Sequence, residues 1–262
     1  GYYCSITDKF NYDENNLYII FGSHDLIEKF PNKYIIYQLE QSNVGYYNND
    51  NEFIDNNHKT FNKKYIYKLQ NAIEIWEYSQ ENILFFNKIN TSLDKKIKYR
   101  YVPLCYSSYL SQFQNFKNID KSIDILFFGS LNNRRKTILE KLKSKGLNIE
   151  IHNNLINEER IKKILASKII INIHFYEKSL LETHRINLLL SNKCFIISEK
   201  SRDNFEDNKY KDSIVFSEYD NLYNCCLNWL KKNNEREEIA NKGYQNFKKT
   251  NFLEYINIDK IQ

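Results

Sequence analysis

DILFFGSLNNRRKTILEKLKSKGLNIEIHN, residues 124–153, reads as strand, helix and strand. DILFFGS (124–130) is a near-continuous apolar run, the pattern of a strand covered on both faces. NRRKTILEKLKSKG (133–146) carries apolar Ile138, Leu139 and Leu142, and Gly146 stands where a helix C-cap belongs. LNIEIHN (147–153) returns to strand character. Strand alternating with helix implies a parallel, doubly wound sheet.

The rhythm extends in both directions. Toward the C-terminus, strands are expected at KIIINIHF (168–175), KCFIISE (193–199) and SIVFSE (213–218). Helices are expected at NEERIKKILAS (157–167) and SLLETHRINLLLS (179–191), with two more from about Asp220 to Ile256. Toward the N-terminus, LYIIFGS (17–23), KYIIYQLEQ (33–41), IEIWEYS (73–79) and KYRYVPL (98–104) read as strands. HDLIEKF (24–30) and HKTFNKKYIYKLQNA (58–72) read as helices. That is too many strands for one Rossmann unit of 262 residues, and the pattern restarts at Asp124 after the polar stretch 107–122. The expected fold is α/β: two Rossmann-like parallel-sheet domains, residues 1–106 and 123–262, facing across a cleft.

A composition of 42% hydrophobic and 27% charged residues excludes a disordered or fibrous chain. The Asn, Lys, Ile and Tyr bias fits an AT-rich genome. A net charge of +5, spread along the chain, suits an anionic small ligand. It is too mild to point to nucleic acid, and no nucleic-acid partner is expected. No run is long enough for a transmembrane helix, and no signal-peptide pattern opens the chain. The five cysteines, Cys4, Cys105, Cys194, Cys225 and Cys226, lack CxxC spacing and read as reduced thiols of a cytoplasmic protein. With no methionine in the sequence, the chain is expected to be a processed protein or a segment of a longer polypeptide, whose other domains are then expected partners.

In open α/β sheets ligands bind at the carboxyl ends of the strands. In the first half those ends carry His24, Glu40, Gln41, Tyr78 and Ser79. In the second half they carry Gly129, Ser130, Asn153, His174, Tyr176, Glu177, Ser198 and Glu199. FFGSLNNRRK (127–136) is a strand, a glycine, a short polar loop with Asn132, and a basic helix start. Gly129 permits a tight turn and the helix N-terminus offers free N–H groups to a phosphate. Arg134, Arg135 and Lys136 oppose the helix dipole there, which a bound diphosphate would justify. Ser179 and Glu182 fit the S-x-x-E capping box, and Arg185 lies one turn on, within reach of Glu182. Glu182 therefore reads as a helix cap, with an i,i+3 ion pair to Arg185 as its neighbour on the helix. No Asp-x-Asp pair ends a strand and no His/Cys ligand spacing occurs, so no metal is expected.

These residues resemble a known family. With its strand–Gly–loop–Arg opening and the later LETHRINLLLSNKCFIISE (181–199), the second half looks like the nucleotide-sugar-binding domain of GT-B glycosyltransferases. The first half, with IIFGSHDL, YIIYQLEQ and AIEIWEYS, resembles the acceptor half of such enzymes encoded by giant, Mimivirus-like DNA viruses. The resemblance covers roughly residues 17–250. It implies metal-independent transfer of a sugar from a nucleotide-diphosphate donor to an acceptor that the sequence does not name. Gly129, Ser130, Asn132, Arg134, Arg135, Asn153, His174, Tyr176, Arg185 and Ser198 would then line the donor site. Glu177 and Glu182 would accept from sugar hydroxyls. An inverting reaction would also need a base, for which His24 and Glu40 are candidates; a retaining one would not. Two positions depart from the pattern. Leu188 stands where many relatives carry the ribose-holding glutamate, and Lys193 replaces the usual glycine. Two rivals follow: a nucleotide(-sugar)-binding module of a larger multidomain protein without catalysis, and a protein-interaction or nucleic-acid accessory on a Rossmann scaffold.

Overall fold

The computed structural model describes residues 4–7, 15–22, 29–39, 41, 45–47, 53–55, 63–116 and 119–256. Among them two compact units separate, one within residues 1–43 and 55–103, the second within 44–54 and 104–256.

The first unit runs β1 (Tyr18–Phe21), β2 (Tyr34–Gln38), α1 (Lys63–Asn71), β5 (Ile75–Glu77), α2 (Gln80–Thr91) and β6 (Tyr99–Tyr101); between β2 and α1 in sequence lies a short pair, β3 (Gly45–Tyr47) and β4 (Phe53–Asp55), that groups almost wholly with the second unit. Among the described residues β3 and β4 pair with each other. The remaining four strands form a parallel sheet in the order β1-β2-β5-β6. Ile36 and Ile75 bury their side chains with Leu69 of α1 and Phe86 of α2. α2 departs from the sequence reading. Ser79 looked like the end of a strand, but its side chain accepts from the Asn82 N–H and caps a helix. The helix expected over 24–30 and the first residues of the one expected over 58–72 lie largely outside the described residues.

The second unit runs β7 (Ile123–Phe128), α3 (Asn133–Lys143), β8 (Ile149–His152), α4 (Asn157–Leu165), β9 (Ser167–Asn172), α5 (Thr183–Ser191), β10 (Ile196–Glu199), α6 (Asn204–Tyr210), β11 (Val215–Ser217), α7 (Leu222–Leu230) and α8 (Asn233–Lys248). Its five-stranded sheet is parallel, in the order β11-β10-β9-β7-β8. Strand alternation sends Ile125 and Phe127 to one face, against Leu139 and Leu142 of α3. Leu126 goes to the other face, with Leu189 and Leu190 of α5. Both faces are covered, which is why β7 reads as an unbroken apolar run.

Three local features differ from expectation. α6 was not anticipated; Asp203 caps it by accepting from the Phe205 and Glu206 N–H groups. α5 begins at Thr183, four residues after Ser179. The polar stretch after Tyr106, expected to join two domains, packs on the second unit: the Gln112 N–H donates to Asn192 Oδ1 at 2.8 Å, and Asn192 Nδ2 donates to the Leu110 carbonyl at 2.7 Å. Lys193, in place of the expected glycine, has φ 52°, the left-handed region where glycine is usual. Its ammonium lies 4.6 Å from the Phe113 ring centre and 5.1 Å from that of Tyr244, which offsets the backbone cost.

α8 packs on α5 through Gly243. A Cβ at this glycine would stand 2.9 Å from Leu190 Cδ2 and 3.0 Å from the Ser213 carbonyl oxygen. In an exposed helix Gly→Ala stabilises by about 1 kcal/mol. Here the backbone oxygen cannot yield, so Gly243→Ala should lower stability by about 1–3 kcal/mol, as overpacking does. Urea unfolding of parent and variant reads the sign directly.

Candidate functional site

In the second unit β7 leads through α3 to β8 on one side, and the chain then returns through α4 to β9 on the other side of β7. The topological switch point therefore lies between the carboxyl ends of β7 and β9, where open sheets bind ligands. Gly129 follows β7 and Asn172 ends β9.

Gly129 has φ 134°, and a Cβ there would lie 2.7 Å from Arg185 Nη2. Only glycine lets the guanidinium come this close. Arg185 Nη1 donates to Asn172 Oδ1 at 2.7 Å, and its carbon lies 5.2 Å from the Phe128 ring centre. Its Nε and Nη2 have no hydrogen-bond partner among the described residues.

Asn172 Nδ2 donates to Glu182 Oε2 at 2.8 Å and to Ser198 Oγ at 3.0 Å. His174 Nδ1 meets the same Glu182 oxygen at 2.9 Å. Arg135 Nη2 stands 3.6 Å from Glu182 Oε1. The Arg135 guanidinium is buried and donates to the carbonyls of Ile173 (2.8 Å) and Ser130 (2.7 Å). Arg134 grips Glu199 with two nitrogens, donates to the His174 carbonyl, and lies 3.9 Å over the Tyr219 ring. Glu199 also accepts from the His174 backbone N–H at 3.0 Å. Asn132 caps α3 by accepting from the Arg135 N–H, and donates to the Phe175 carbonyl.

Three arginines thus face two carboxylates, leaving positive charge in excess. Burial alone would raise the Glu182 carboxyl, but His174, Arg185 and the Asn172 hydrogen bond outweigh it and bring the pKa down to about 2. Burial lowers Arg135 to about 10, still a cation at neutral pH. Burial opposes charge on His174 too, yet Glu182 prevails and raises its pKa.

The structure gathers Gly129, Asn132, Arg134, Arg135, His174, Glu182, Arg185 and Ser198 into one network. Ser130 joins through its carbonyl only. Asn153 and Glu177 are exposed, and Tyr176 shows only its carbonyl, accepting from Ser179 Oγ, and a ring contact with Phe175. His24 and Glu40 lie outside the described residues. The capping box is not formed. Glu182 sits at the N-cap position of α5 but its side chain makes no cap bond, because Asn172, His174 and Arg135 engage it. Leu188 packs against the core. The site residues absent from the sequence reading are Asn172 as a ligand to Glu182 and Arg185, and Tyr219 as the platform for Arg134. Asn172 is visible in sequence only as sharing a strand face with His174; nothing local marks Tyr219.

At the carboxyl edge of the first sheet, Gln38, Glu77, Ser79 and Asn82 are buried together. Glu77 Oε1 accepts from Asn82 Nδ2 at 2.9 Å and from the Ser79 N–H at 3.3 Å. With burial dominant and neutral donors only, the Glu77 carboxyl is held well above the usual carboxylate range. Among the described residues no three His, Cys, Asp or Glu side chains gather as metal ligands, and no helix is long and apolar enough to cross a membrane.

Two parallel-sheet units, the second with a cationic switch point, define the fold of the GT-B glycosyltransferases. TarM superposes with a TM-score of 0.56 at 11% identity, over 94% of this chain and 54% of that one. An E. coli trehalose-6-phosphate structure bound with UDP-2-fluoro glucose gives 0.55 at 8% identity, over 85% and 66%. WaaG, a glycosyltransferase involved in lipopolysaccharide biosynthesis, gives 0.52 at 8%, over 85% and 75%. By sequence the chain is similar to uncharacterized proteins of Acanthamoeba polyphaga mimivirus. One is 31% identical over 175 residues, covering 64% of this chain and 54% of the relative; another is 32% identical over 196 residues, covering 72% and 23%. The chain therefore spans about half the length of the first and about a quarter of the second. No family model matches the sequence.

The depressed Glu182 pKa has a consequence for stability. A carboxyl whose folded pKa lies below its ordinary 4.5 stabilises the fold above that pH and loses the contribution as pH falls toward 2. Glu182→Gln should cost on the order of 3 kcal/mol at pH 7, from about 1.4 kcal/mol per pKa unit. The gap between parent and variant, measured by urea unfolding, should narrow steadily below pH 4.5. Equal stability at pH 7 would mean that the network holds without the charge.

Proposed function

We propose that the chain is a metal-independent glycosyltransferase, moving a sugar from a nucleotide-diphosphate donor to an acceptor still to be identified. The observation that carries this reading is Arg185 beside Gly129, with Nε and Nη2 unengaged at the switch point. The fold supports it, and one structure of that fold holds UDP-2-fluoro glucose.

The leaving diphosphate needs its growing charge met by fixed donors. Arg185 supplies them. Arg134 and Arg135 are already engaged, so they hold the carboxyl edge together and add to its positive field. Gly129 leaves the space that the Arg185 guanidinium fills beside the backbone. Glu182, ionised at neutral pH, accepts from a sugar hydroxyl through Oε1; Glu177 is the second acceptor in the loop. Ser130, Asn153 and Tyr176 line the nucleotide side. Ser198 acts through Asn172. His24 and Glu40 remain the base candidates for an inverting reaction. On this reading the reaction takes place in the cytoplasm and serves glycan biosynthesis. The partial coverage of the viral relatives supports a second reading, a donor-binding module within a longer protein. Hydrolysis or transfer of a nucleotide sugar separates the two, since both bind it and only the enzyme consumes it.

A thermal-shift and calorimetric panel of nucleoside diphosphates and nucleotide sugars finds the donor. Arg185→Ala should weaken diphosphate binding by about 1.5–3 kcal/mol, the range for hydrogen bonds to charged groups, and leave nucleoside binding nearly unchanged. Turnover and binding should both survive EDTA; strict dependence on magnesium or manganese would contradict the mechanism.

A further inference from the structure

We propose that Arg202 is a specificity residue for an acidic sugar, its guanidinium taking the sugar's carboxylate at the carboxyl edge of the second sheet. The inference rests on the donor-site reading above, since it takes this edge to handle a sugar, and it names the class of that sugar.

Arg202 stands in the connection from β10 to α6. Its backbone N–H donates to the Ser179 carbonyl at 2.9 Å, which joins this connection to the one that runs from β9 to Glu182 and α5. The guanidinium Nε and Nη2 are shielded from solvent, and neither has a hydrogen-bond partner among the described residues. These two nitrogens form one edge of the guanidinium. Their N–H bonds run side by side and match the two oxygens of a carboxylate. A charged edge left unanswered in the fold is costly, and a ligand that answers it gains accordingly. Arg202 as a whole is only partly buried, so rotation about its last torsions brings this edge to a ligand. The other cations nearby are engaged: Arg134 by Glu199, Lys200 by Glu218 and Lys209 by Glu206. On the joined connection, Thr183 carries a second buried group without a partner, its Oγ1, which suits a sugar hydroxyl. Asp203, Glu206 and Asp207 follow Arg202 closely, against Lys209 alone. Their field penalises a dianionic phosphate more than a singly charged carboxylate, which selects the carboxylate.

Calorimetry with UDP-glucuronate and UDP-glucose, which differ only in the carboxylate at the end of the sugar, tests an acid on the donor. Free glucuronate and glucose, titrated in excess inorganic pyrophosphate, test an acid on the acceptor. In one of the two pairs the parent should prefer the acid by about tenfold or more. Arg202→Met keeps the packing of the stem and removes the charge. It should abolish that preference and leave the affinity for the neutral sugar unchanged. The variant should fold, because the guanidinium has no partner within the fold to lose; failure to fold would show that the fold itself engages this group and would overturn the proposal. A preference within the nucleotide pair puts the acid on the donor, and one within the free pair puts it on the acceptor. No preference in either pair, or a preference that survives in Arg202→Met, overturns this inference alone. Failure of the parent to bind pyrophosphate or either nucleotide sugar overturns the donor-site reading and this inference together.

Discussion

A buried guanidinium must be surrounded by acceptors, and the carboxyl edge of the second sheet is arranged around Arg135. Its donors reach the carbonyls that follow β7 and β9, and its free edge faces Glu182 ahead of α5. One side chain thereby ties α3 to two loops and to the start of another helix. Leaving such a charge unpaired would cost several kcal/mol, so Glu182 cannot be elsewhere in the folded state. His174, Asn172 and Arg185 then take their places around Glu182.

This constraint explains why a good local signal loses. Ser179 and Glu182 have the spacing of a capping box, worth about 1 kcal/mol. The ionic network offers Glu182 more, and α5 starts at Thr183 instead. Ser179 turns its hydroxyl to the Tyr176 carbonyl. The residue that looked like a helix cap is the hub of the site, and local propensity gives way to tertiary electrostatics.

The two units handle their ligand edges in opposite ways. The first buries a carboxyl, Glu77, among neutral donors, which holds its pKa well above the usual carboxylate range. The second assembles three arginines and two carboxylates with charge left over. Similar scaffolds host unrelated chemistry, so it is the charged edge of the second unit, and not its fold, that sets what it can bind.

Much of the fold was legible in the chain. The apolar runs of β7, β9 and β10 announced strands covered on both faces, and Gly129 and Arg134–Arg135 announced a charged turn. Periodicity and backbone sterics act over a few residues, so the sequence by itself determined the alternation of strand and helix and the types of group at the strand ends. It missed α2 and α6 because their caps, Ser79 and Asp203, are single residues inside stretches with other plausible readings. Only the tertiary structure decided which cations are engaged and which has donors to spare. Arg134 and Arg135 look the same as Arg185 in a sequence. Pairing depends on residues outside the local stretch, such as Glu199, Tyr219 and Asn172, and those distances are set only when the strands align.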